Sequence, residues 1–121
     1  MKLNASRVIA MLAALAVAAM LAVPAFAHAP VLGTSPKNGA TVTKVRTVSV
    51  RFGEAVVTGL ISVKRANGST VTAKASGLVN DKKRLRATFS KRLAAGKYTV
   101  SWRVKADDGD TEKGSFSFTA R

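Results

Sequence analysis

Apolar and polar residues alternate with a period of two along most of this chain, and that pattern restricts it to sheets with one buried face. Val48, Val50 and Phe52 alternate with Thr47, Ser49 and Arg51. The longest run sets Tyr98, Val100, Trp102 and Val104 against Thr99, Ser101, Arg103 and Lys105. Leu60 to Lys64 alternates loosely, Leu85, Ala87 and Phe89 follow the same rule, and Phe116 and Phe118 sit between Ser115, Ser117 and Thr119. Val31 to Thr34 and Thr70 to Ala73 add two more runs, so about seven strands are expected.

Turn chemistry falls between the runs. Asn38-Gly39 follows Pro36, Asn67-Gly68 reads as a hairpin, Ala95-Gly96 precedes the longest run, and Asp108-Gly109 follows it. Short strands punctuated this way, with no window of helical period, predict an all-β sandwich or barrel. Its Trp and Phe residues are then core rather than a binding platform.

Residues 1–27 obey a different order. Lys2 and Arg7 give a positive start, Val8 to Val23 is an uncharged apolar run, and Pro24 breaks it before Ala25-Phe26-Ala27. The run approaches the ~18 residues of a spanning helix, which leaves a retained membrane anchor as the alternative. The basic start and small-x-small site instead predict a signal peptide over 1–27, removed on export to the periplasm or medium. The domain is then 28–121, and His28, the one histidine of the chain, becomes its first residue.

Removing 27 of the 121 residues leaves 94, enough for one small domain. With no cysteine in the chain, its apolar core must hold it without disulfides. Two of the twenty Lys and Arg leave with the signal and all six acids stay, so the formal charge falls from +14 to +12. Such a charge favours anionic surroundings. The basic residues are nonetheless scattered among apolar ones, as a solvated strand face requires, and the one dense cluster is Lys82-Lys83-Arg84 with Arg86, Lys91 and Arg92. Nucleic acid is not an expected partner, because exposed stacking aromatics are lacking.

Catalysis by a nucleophile also lacks its parts. Without cysteine, and with His28 alone to act as base, Ser-His and Cys-His schemes cannot be assembled, and no enzyme is expected. Metal chemistry has parts. A terminal His offers its α-amine, whose pKa is roughly 8, and its ring Nδ1 to one ion. Asp107, Asp108, Asp110 and Glu112 crowd one loop, which is either a solvated turn or the oxygen-rich edge of a metal site.

The segment from Leu93 to Val104, followed by Asp108-Gly109 and Gly114-Ser115-Phe116-Ser117-Phe118, resembles the C-terminal half of the CopC family of exported copper-binding proteins. His28-Ala29-Pro30-Val31-Leu32 with Ser35-Pro36-Lys37-Asn38-Gly39 is similar to the family's opening, and Val50-Arg51-Phe52-Gly53-Glu54 to its Leu-x-Phe-Ser-Glu stretch. The resemblance implies a seven-stranded Greek-key β-sandwich, immunoglobulin-like and cupredoxin-like, that holds one Cu(II) per chain. The implied ligands are the amine and imidazole of His28, the carboxylate of Asp108, and position 110, where the family has a second His. Glu54 and Trp102 match residues that support the site. A membrane copper importer is the implied recipient, and a monomer the implied state.

Asp110 departs from the pattern. A carboxylate there keeps a donor but makes the site N2O2 rather than N3O, a mixed set that Cu(II) accepts. Whether Asp107 or Asp110 completes the set stays open. The family's Cu(I) site needs soft sulfur ligands, and Met1, Met11 and Met20 all precede residue 28, so no Cu(I) site is expected. Copper oxygenases that attack polysaccharides also begin with His, but their brace needs a second imidazole. The remaining rival is a sandwich with a decayed metal site that docks a partner or the cell envelope through its charge.

Overall fold

The computed structural model describes residues 29–121; the expected signal peptide and His28 lie outside the described residues. The strands are β1 (Val31–Ser35), β2 (Thr41–Val42), β3 (Thr47–Phe52), β4 (Thr58–Arg65), β5 (Thr70–Val71), β6 (Ala75–Val79), β7 (Arg84–Thr88), β8 (Gly96–Lys105) and β9 (Thr111–Ala120). They form a four-stranded sheet in the order β1-β3-β7-β6 and a five-stranded sheet in the order β2-β9-β8-β4-β5. Every pairing is antiparallel except that of β2 with β9.

The period-two residues meet between the sheets. Val48, Val50 and Phe52 of β3 with Leu85 and Ala87 of β7 are buried against Val63, Val100, Val104, Phe116 and Phe118 of the other sheet. Each of these Val, Leu and Phe side chains contributes about 1.5–3 kcal/mol by leaving water. Tyr98 stacks on Phe118 at 5.5 Å, and its hydroxyl donates to the Ala94 carbonyl at 2.6 Å. The phenol therefore brings no unsatisfied group into the core.

Nine strands stand where about seven are expected. The additional ones are β2, two residues long, and β6, whose Ala-Ser-Gly-Leu-Val sequence has no alternation to betray it. Leu78 of β6 still points inward opposite Leu85, as its register demands. The Asn67-Gly68 hairpin forms as expected between β4 and β5, with Gly68 at φ 86° donating to the Arg65 carbonyl at 2.9 Å.

The Lys82-Lys83-Arg84 cluster occupies the β6–β7 turn. Asn80, Asp81 and Lys82 all adopt left-handed backbone there, a conformation that costs L-residues energy unless the surroundings hold it. Two backbone bonds do so: Val56 N–H donates to the Lys82 carbonyl at 2.9 Å and Phe52 N–H to the Lys83 carbonyl at 2.8 Å. The lysines themselves are exposed.

Candidate metal site

Three segments converge at the end of the sandwich where β3 and β8 finish and β9 begins. The first is the start of the described residues: Ala29 is completely buried within the core cluster. The second is the end of β3, where Gly53 N–H donates to the Pro30 carbonyl at 2.8 Å and Val31 pairs with Phe52. The third is β9, whose Glu112 accepts the Ala29 N–H through Oε1 at 3.4 Å.

Glu112 is the residue that sequence reasoning left among the loop acids. Counting back by twos from Phe118 through Phe116 and Gly114 puts it on the inward face, opposite the buried Val104. It is half-buried. A carboxylate at an inward-facing position needs a donor nearby, and the Ala29 amide is that donor.

The acidic loop between β8 and β9 is closed by Ala106 N–H donating to the Asp110 carbonyl at 2.8 Å and Gly109 N–H to the Ala106 carbonyl at 3.0 Å. Gly109 takes φ 90°, which suits glycine. Inside it Asp110 N–H donates to Asp108 Oδ1 at 3.0 Å, a local turn typical of Asp. The structure thus ties Asp108 to Asp110 and leaves both exposed.

Trp102 and Glu54 take different places. Trp102 points inward from β8, half-buried, with its ring edge-on to Phe52 at 5.4 Å and an interplanar angle of 75°. It lies over its cross-strand neighbour Gly114, where a Cβ would come within 2.5 Å of ring Cζ2. The missing side chain at 114 is the space the indole fills. Glu54 is exposed on the connection between β3 and β4, one residue beyond the Gly53 that bonds Pro30.

Among the described residues no three or more His, Asp or Glu side chains lie close enough together to hold a metal ion. The potential metal-binding side chains at this end of the sandwich among the described residues are all carboxylates.

The CopC domain family matches residues 31–121. Among solved structures, PcoC from Escherichia coli, described as a methionine-rich copper resistance protein, superposes with a TM-score of 0.69 at 22% identity, covering 78% of this chain and 100% of that one. CopC from Methylosinus trichosporium OB3b superposes with a TM-score of 0.65 at 28% identity, covering 77% of this chain and 93% of that one. No curated protein sequence matches.

Proposed function

Because the chain belongs to the CopC family, we propose that it is a non-enzymatic, exported protein that holds one Cu(II) at the end of its sandwich and buffers it or hands it to a membrane importer. The ligands in this reading are the α-amine and imidazole of His28, exposed by cleavage after Ala27, with the carboxylates of Asp108 and Asp110. Copper is cargo here, so the site has to release it as well as bind it.

The observation that carries the reading is the Ala29 to Glu112 hydrogen bond. Consecutive Cα atoms across a trans peptide are about 3.8 Å apart, so residue 28 is tethered to a neighbour that is itself fixed against the start of β9. Glu112 is two residues beyond Asp110, about 7 Å along a strand. In this reading a terminal nitrogen pair at residue 28 shares one ion with the acidic loop. Glu112 acts in this account as a positioning residue.

The donor chemistry fits. Cu(II) accepts tetragonal N,O sets and stands at the top of the divalent affinity order. An ionised carboxylate has about four lone-pair sites, so the Oδ1 bond of Asp108 to the Asp110 amide is compatible with a metal bond from the same group. Protons compete for both nitrogens, so affinity falls with pH, first as the amine protonates below about pH 8 and further as the imidazole protonates at lower pH.

The test is Cu(II) titration of the exported protein followed by EPR. Asp108→Asn combined with Asp110→Asn should lower affinity at least tenfold and change the copper hyperfine splitting. An unchanged spectrum in that variant would remove both carboxylates from the site.

A further inference from the structure

The outer face of the five-stranded sheet carries a second arrangement unrelated to the metal site. In register across β4, β8 and β9 run three rows: Thr58, Lys105 and Thr111; Leu60, Arg103 and Lys113; Ser62, Ser101 and Ser115. The serine row is small, and it opens a trough of about 730 Å³ whose lip is the Leu60–Arg103–Lys113 row. Ile61, Trp102 and Gly114 complete its lining.

Its charge is uncompensated. Arg103 and Lys113 are direct cross-strand partners, with Cβ atoms about 5 Å apart, and like charges so placed are destabilising. Lys105 stands on the same face of β8, two residues on, about 7 Å away. The six acids of the chain all fall off this face: Glu54 on the β3–β4 connection between the sheets, Asp81 in the β6–β7 turn of the other sheet, three in the β8–β9 loop, and Glu112 turned inward.

The hydroxyls point the same way. In the next row along, Thr99 and Ser117 satisfy each other at 3.3 Å. Ser62, Ser101 and Ser115 have no such mutual bond among the described residues, although they lie in register on adjacent strands. Two cations and three hydroxyl donors therefore face one trough with no acidic acceptor on its face.

We propose that this trough binds phosphoryl groups. A tetrahedral phosphate is rich in acceptors, takes bidentate bonds from arginine and a point charge from lysine, and would relieve the Arg103–Lys113 repulsion. The trough crosses three strands spaced about 4.8 Å apart, so a ligand with two or more phosphoryl groups covers it better than a single phosphate. The shared chemistry is a phosphoryl oxyanion, whether on a soluble polyphosphate or on a lipid headgroup.

Metal-free protein titrated with sodium pyrophosphate at constant ionic strength, followed by ¹⁵N HSQC spectra, tests this. Saturable shifts should cluster at residues 60–62, 101–103 and 113–115. Arg103→Gln with Lys113→Gln should weaken binding at least tenfold, while Lys64→Gln with Lys97→Gln, which removes the same charge from the same face outside the trough, should stay within twofold. Ser62→Ala, Ser101→Ala and Ser115→Ala together keep the charge and should still cost severalfold. Sedimentation with vesicles containing phosphatidylglycerol separates the sources: dependence on Arg103 and Lys113 there assigns the group to a headgroup, and pyrophosphate binding alone assigns it to a soluble ligand. Equal losses in both charge-removal variants, or no saturable binding in either arm, would overturn the proposal.

Discussion

The backbone N–H of Ala29 donates to Oε1 of Glu112 at 3.4 Å across 83 residues of sequence, joining the first described residue to the strand that follows the acidic loop. Ala29 is fully buried beside this bond, and Pro30 is held on its other side by Gly53. Residues 29–31 are thus fastened to both sheets, through Glu112 of β9 and through Phe52 and Gly53 at the end of β3.

Glu112→Ala leaves the buried Ala29 N–H without its acceptor, a loss of about 1–3 kcal/mol. A domain of this size loses roughly 4–8 °C in melting temperature per kcal/mol. Glu112→Gln keeps a carbonyl acceptor and should lose less than half as much. Thermal unfolding of the two variants checks the order, and equal melting temperatures for wild type and Glu112→Ala would refute the tether.

Gly114→Ala drives a Cβ to within 2.5 Å of the Trp102 ring, which Phe52 holds from the other side. Overpacking of this kind costs about 1–3 kcal/mol. As the single tryptophan, Trp102 reports its own displacement, so the emission maximum should shift together with the loss of stability. Trp102→Leu in the Gly114→Ala background should recover part of the loss, a coupling that denaturant titrations of the four-member cycle would measure.

Much of this was legible because the strands obey one rule. β3 and β7 follow their alternation almost to the residue, and the turns at Asn67-Gly68 and Asp108-Gly109 form where their chemistry places them. β6 escaped because its Ala-Ser-Gly-Leu-Val run is held by pairing with β7 and by Leu78 packing, not by local preference. Glu112 was grouped with its acidic neighbours by composition, whereas parity from Phe116 and Phe118 separates it from them. The tether to Ala29 had no local signal at all, since it joins residues 83 apart.

Asp110→His places an imidazole two residues from Asp108, in the position where the family pattern has one. Cu(II) affinity should rise at least tenfold and the d–d absorption should move to shorter wavelength as nitrogen replaces oxygen. An isothermal titration with unchanged affinity would show that position 110 does not reach the ion.

The central claim rests on the free amine of His28, and it is tested most directly by Cu(II) titration of two forms of the protein, one beginning at His28 and one with a single extra residue before it. The account predicts a one-to-one tetragonal N2O2 EPR signal in the first and at least a tenfold weaker, spectrally different complex in the second. Equal affinity and identical spectra in both forms would contradict it.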